Sequence, residues 1–146
     1  MLVRDIHEMN EEAGRFARGL VPRESTATVV ALSGELGSGK TVFVKGVAKA
    51  LGITEHVTSP TFVIMKKYDL HEQKYDRLIH IDAYRLKGEH HLKVLGWEEL
   101  LNNPKNLIFM EWPEQAGNAI PKSALAIHFR YSGDNEREIE YEREES

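Results

Sequence analysis

Residues 34–41 read Gly-Glu-Leu-Gly-Ser-Gly-Lys-Thr, and no other stretch of the 146-residue chain constrains it as strongly. The octapeptide fits Gly-x-x-x-x-Gly-Lys-Ser/Thr, the Walker A pattern of a phosphate-binding P-loop. It is preceded by the apolar run Thr28 to Leu32, as a buried central strand would be, and followed by a helical stretch from about Lys40 to Leu51, closed by Gly52. Strand, glycine loop and helix in that order have a mechanical logic. The glycines let successive backbone N–H groups turn inward around a phosphate, and the helix adds its unpaired N–H groups and positive dipole end. Lys40 then reaches the β- and γ-phosphates, and the Thr41 hydroxyl ligates Mg²⁺. The candidate ATP-binding residues of the loop are Glu35, Leu36, Gly37, Ser38, Gly39, Lys40, Thr41 and Val42.

The rest of the chain supplies the layers. Leu2 to Ile6 reads as a short strand, and Asn10 as the N-cap of a helix that carries Glu11 and Glu12 in its first turn. Phe62 to Tyr68 and Arg77 to Asp82 read as a hairpin, and Gly88 to Leu101 as one or two short helices broken near Gly96. Leu107 to Met110 is a second buried-strand run, Leu125 to Tyr131 alternates as a half-buried strand, and Ile139 and Tyr141 mark the last strand. The expected fold is α/β: a P-loop NTPase-like layered fold with a mixed parallel and antiparallel sheet flanked by helices, in one domain over residues 1–146.

Composition narrows the function classes. Nineteen basic against 23 acidic residues give a net charge of −4, which argues against an independent grip on nucleic acid or an anionic membrane. There is no cysteine, hence no disulfide framework and no thiolate nucleophile or metal ligand. No apolar run is long enough to span a bilayer and the first residues do not read as a signal peptide, so the expected compartment is the cytoplasm.

A P-loop needs a further acid for its metal shell, at the end of another buried strand. Asp82 follows Leu78-Ile79-His80-Ile81, and Glu111 follows Leu107-Ile108-Phe109-Met110. Both belong at the carboxyl edge of the sheet, where α/β folds bind ligands, and which of the two holds metal and which orients water stays open. Thr58, Ser59, Pro60 and Thr61 form a switch-like loop, with Thr61 or Thr58 as the γ-phosphate sensor. The absence of Asn-Lys-x-Asp and Asp-x-x-Gly favours ATP over GTP. His80 lies two residues from Asp82, with His90 and His91 nearby, but the spacing matches no transition-metal motif and the histidines read as surface residues.

Several of these elements stand together in one order: GELGSGKT at 34–41, VTSPTF from Val57 to Phe62, HIDAYRL from His80 to Leu86, Gly96, and IFMEWP from Ile108 to Pro113. In that combination the chain resembles the TsaE family, also called YjeE, over roughly residues 10–131. The resemblance implies a small ATPase of tRNA threonylcarbamoyladenosine (t6A) biosynthesis, slow alone and stimulated within a complex with the transferase subunits TsaD and TsaB. It implies ATP and Mg²⁺ as cofactors, contact with tRNA only through that complex, and no role at DNA or membranes. Residue by residue it implies Lys40 and Asp82 in catalysis, Thr41 and Glu111 at the metal, and Asp82 and Trp112 beside the nucleotide. Two other readings compete. A P-loop kinase of a small metabolite or nucleoside is disfavoured because Arg77 and Arg85 are the only arginines between Arg23 and Arg130, too few for an arginine-rich lid. A nucleotide-gated adaptor would need ATP binding without hydrolysis.

Overall fold

The computed structural model describes residues 1–54, 65–133 and 135–142. In chain order these form β1 (Leu2–Val3), α1 (Ile6–Gly19), β2 (Thr28–Gly34), α2 (Lys40–Ala50), β3 (Met65–Asp69), β4 (Arg77–Asp82), α3 (Glu89–Val94), α4 (Trp97–Leu101), β5 (Asn106–Glu111), β6 (Leu125–Tyr131) and β7 (Arg137–Glu142). A 3₁₀ turn at Ala83–Arg85 follows β4, and Pro113–Ala119, 3₁₀ with a kink at Gly117, follows β5. Among the described residues the sheet has seven strands in the order β1-β7-β6-β2-β5-β4-β3.

The mixed sheet expected from the sequence is present and its polarity has a pattern. β6, β2, β5 and β4 run parallel to one another, while β7 and β1 on one side and β3 on the other add antiparallel edges. Of the parallel strands, β2, β5 and β4 are the apolar ones because both of their faces are covered, whereas β6 is half-buried. Val30, Leu32, Leu78, Leu107 and Phe109 face one core with Met9, Ala13 and Ala17 of α1 and Phe43, Val44 and Val47 of α2. Val29, Ile79, Ile81, Ile108 and Met110 face the other, under Leu92 of α3 and Trp97 and Leu100 of α4. Trp97 is a packing residue, 3% exposed, with its indole N–H on the Ala119 carbonyl at 3.0 Å.

Two boundaries differ from the sequence reading. The first strand stops at Val3, and α1 is capped by Asp5, whose Oδ1 accepts from the Glu8 amide at 2.8 Å, not by Asn10. Asp caps as well as Asn, and starting a turn earlier places Met9, Ala13 and Ala17 on one buried stripe. Glu12 is thereby buried in mid-helix instead of standing in an exposed first turn. The short helices were legible: α3 and α4 are separated by Gly96 in the left-handed conformation. The hairpin of β3 and β4 is antiparallel as expected, although Phe62 lies outside the described residues.

α1 and α2 lie against each other closely enough that a Cβ on Gly46 would stand 2.7 Å from Ala13 Cβ. That approach brings the start of α1 to the mouth of the glycine loop, where Met9 Cε lies 2.7 Å from the position of a Cβ on Gly39. Among the described residues no helix is long and apolar enough to cross a membrane.

Candidate nucleotide site

The glycine loop leaves the carboxyl end of β2 and enters α2 through Gly39, which sits at φ 108° and caps the helix without any side chain. Gly37, at φ 79°, is equally constrained: a Cβ there would lie 2.5 Å from the Tyr131 hydroxyl, which donates to the Leu36 carbonyl at 2.9 Å. The Ser38 amide closes a turn on the Glu35 carbonyl at 3.0 Å. Leu36 is exposed at the tip, and Val42 packs against the core one turn into α2. The loop thus has the concave backbone its sequence foretold, at a helix N-terminus whose first N–H groups lack intrahelical acceptors.

Lys40 is 4% exposed and folds back under the loop. Its Nζ donates to the Gly34 carbonyl at 2.6 Å and lies 3.5 Å from the centre of the Trp112 ring, a cation–π contact. Burial lowers its pKa, opposed by the negative charges of Glu111, Glu114 and Asp82. Trp112 follows β5 in a left-handed conformation (φ 59°), uncommon for a bulky residue, and its ring also packs against the exposed Tyr84 at 5.2 Å between centroids.

The register of the sheet brings the two acids together. Leu32, Glu111 and Asp82 are direct cross-strand partners on β2, β5 and β4, so both carboxylates stand at the carboxyl edge beside the loop. The Thr41 hydroxyl reaches both oxygens of Glu111, at 3.0 and 3.1 Å. His80 Nε2 lies 2.5 Å from Glu111 Oε2, and the His80 side chain is completely buried. Reading the histidines as surface residues therefore fails for His80, which shares a sheet face with Asp82 and points into the site; His90 is exposed and His91 half-buried. Asp82 caps the 3₁₀ turn after β4, its Oδ1 accepting from the Tyr84 amide at 3.0 Å. Burial raises its pKa, the Tyr84 hydrogen bond offsets part of this, and the charge of Glu111 adds to the rise.

Lys40, Thr41, Asp82, Glu111 and Trp112 share one pocket of about 290 Å³ with the loop residues Leu36, Gly37 and Gly39. Val3, Ile6 and Met9 from the N-terminal segment and Arg137 from β7 complete its wall. Sequence reasoning missed these, since nothing local marks residues that only the sheet order carries to the loop. His80 did have a signal, its two-residue spacing from Asp82. The switch-like residues Thr58, Ser59, Pro60 and Thr61 lie outside the described residues.

The residues present fit a magnesium nucleotide. A hydroxyl and a carboxylate, joined at Thr41 and Glu111, are the hard oxygen ligands that Mg²⁺ takes. Ser38 Oγ is buried without a partner among the described residues, 2.7 Å from where a Cβ on Gly34 would stand. Among the described residues no group of three or more His, Asp and Glu is arranged so that it could hold a metal ion by itself.

Residues 6–139 match the family model described as "Threonylcarbamoyl adenosine biosynthesis protein TsaE". The chain belongs to the TsaE family. Among its TsaE relatives, all described as tRNA threonylcarbamoyladenosine biosynthesis proteins, that of Bacillus subtilis is 36% identical over 90% of this chain and 79% of the relative. That of Borreliella burgdorferi is 40% identical over 72% of this chain and 74% of the relative. The crystal structure of Bacillus subtilis YdiB superposes with a TM-score of 0.74 at 30% identity, covering 97% of this chain and 82% of that one. The TsaE match runs from the start of α1 into β7, and with it takes in the whole pocket except Val3 and Asp5.

Proposed function

We propose that this TsaE-family chain is the Mg²⁺-dependent ATPase subunit of the machinery that makes threonylcarbamoyladenosine at position 37 of tRNA, working in the cytoplasm with TsaD and TsaB. The observation that carries the reading is the joining of Thr41, at the start of α2, to Glu111, at the end of β5, directly beside Lys40 and the glycine loop. The family names of the relatives supply the pathway.

The roles follow from position. Backbone N–H groups of Gly37 and Gly39 bind phosphate oxygens, Ser38 N–H joins them on exchanging the Glu35 carbonyl for phosphate, and Lys40 exchanges the Gly34 carbonyl for the β- and γ-oxygens. Thr41 and Glu111 hold the metal shell. Mg²⁺ held there would supply positive charge to offset that of the phosphates. Asp82, on the neighbouring strand and not bonded to Thr41, orients the attacking water; it acts by placement and charge, since phosphoryl transfer asks little covalent chemistry of the protein. Trp112 lines the pocket and holds Lys40 from below.

The kinase reading has less support: the pocket at the glycine loop is walled by β1, α1 and β7. The test is phosphate release from ATP and Mg²⁺ with TsaD, TsaB and unmodified tRNA, omitting each component in turn. Strong stimulation by the complex is expected. Phosphate transfer to a small acceptor would favour a kinase. Repeated tRNA modification by an ATP-binding but hydrolysis-dead Asp82→Asn protein would favour a nucleotide-gated adaptor.

A further inference from the structure

We propose that His80 is the positioning residue that fixes the Glu111 carboxylate for the metal shell. The inference rests on the reading of Glu111 given above and extends it to a residue not assigned there.

The argument begins with the carboxylate. Thr41 has a single hydroxyl hydrogen shared between Oε1 and Oε2, at 3.0 and 3.1 Å, which holds the carboxylate edge-on but leaves its rotation weakly determined. The contact from His80 Nε2 to Oε2 at 2.5 Å removes that freedom. A carboxylate can only accept, so Nε2 carries the hydrogen. Oε1 is then the oxygen left for the pocket that Glu111 lines with Asp82 and Thr41.

The surroundings of His80 show that the contact is the reason for the residue. Its neighbours on the same sheet face, Leu78 and Phe109, are fully buried and apolar, and an aliphatic side chain would suit the position. His80 instead leaves Nδ1 buried with no partner among the described residues, a standing cost for a polar atom. An imidazole kept only to fill or stiffen the core would satisfy both nitrogens. Here one nitrogen is sacrificed and the other meets the acid next to Thr41. The reach comes from sheet geometry: His80 is opposite Phe109, and Glu111 is its diagonal neighbour on the same face two residues on.

The test uses Mn²⁺ as the probe, with binding to the full chain in the presence of ADP followed by electron paramagnetic resonance. ADP binding without metal and thermal melting are measured beside it. His80→Phe is expected to weaken Mn²⁺ binding at least ~10-fold while metal-free ADP binding changes less than about twofold. His80→Gln places an amide N–H about where Nε2 lies and should restore Mn²⁺ binding to within about threefold, whereas the shorter His80→Asn should fall with His80→Phe. Unchanged Mn²⁺ binding in a folded His80→Phe protein, or equal loss in the Gln and Asn variants, overturns the proposal; if His80→Phe does not fold, the Gln and Asn contrast decides alone. Glu111→Gln separates the two levels. If it binds Mn²⁺ as tightly as the unaltered chain, the metal role of Glu111 fails and the role of His80 fails with it.

Discussion

Among the described residues two glutamates, Glu12 on α1 and Glu111 at the end of β5, are buried to nearly the same depth and surrounded in opposite ways. Glu12 is closed off. Arg15 grips it with Nε and a terminal nitrogen, each at 2.6 Å, and the Tyr141 hydroxyl donates to it at 2.5 Å. Burial pushes its carboxyl upward, but these donors outweigh burial and hold it below the ordinary carboxylate range. Glu111 meets a hydroxyl and an imidazole, and faces a pocket. A fully paired buried carboxylate fastens α1 to the antiparallel edge of the sheet; an incompletely paired one at a pocket has coordination left for a ligand. Burial alone would not have distinguished them.

The comparison breaks most readily at Glu111. Glu111→Gln should lower Mg²⁺-dependent phosphate release at least ~10²-fold, about 2.7 kcal/mol of barrier, with a melting temperature close to that of the parent. Equal turnover would place Glu111 with Glu12 as structure. The mirror experiment is Glu12→Ala, expected to cost about 2 kcal/mol in urea unfolding and to leave turnover per folded molecule unchanged. A specific loss of turnover there would show that the two glutamates are not separate in function. Tyr141→Phe refines the point: the ring keeps its stack on Phe16, 5.6 Å between centroids, and loses one donor to Glu12, so about 1 kcal/mol of stability is expected to go.

Asp82 gives the smallest effect and the most direct reading of pH. Its folded pKa lies above the ordinary value, first because of burial. The stability this confers is complete below the unfolded value and is lost as pH rises through the folded one. At neutral pH the ionised group is therefore a liability, and Asp82→Asn should be more stable there by about 0.5 kcal/mol, a gain that shrinks on acidification. The acid limb of turnover in the unaltered chain should sit above the ordinary carboxylate range, read from phosphate release against pH. A limb at or below that range would remove Asp82 from the water-orienting role.

Much of the site was legible in sequence because its parts are local. A glycine loop between a strand and a helix is a contiguous device, and an acid that ends a buried strand is found by reading four apolar residues ahead of it. Asp82 and Glu111 were both marked that way, and the structure puts them side by side by register. His80 was misread although its apolar neighbours and its spacing from Asp82 pointed inward, because its partner Glu111 lies thirty-one residues away and no local pattern joins the two. The start of α1 was misplaced because Asp5 and Asn10 are equally good caps, and only packing against α2 selects between them.

The sequence by itself determined the P-loop, the α/β class, the family and the residue types of the chemistry, since each is written in short-range pattern. Tertiary structure decided which glutamate is sealed and which is open, that His80 serves Glu111, and that Val3, Ile6, Met9 and Arg137 wall the pocket. The physical reason is strand order. β5 and β6 insert on either side of β2, and β7 carries β1 and Arg137 to the loop, so contacts across a hundred residues arise from hydrogen-bonded register that no local pattern encodes.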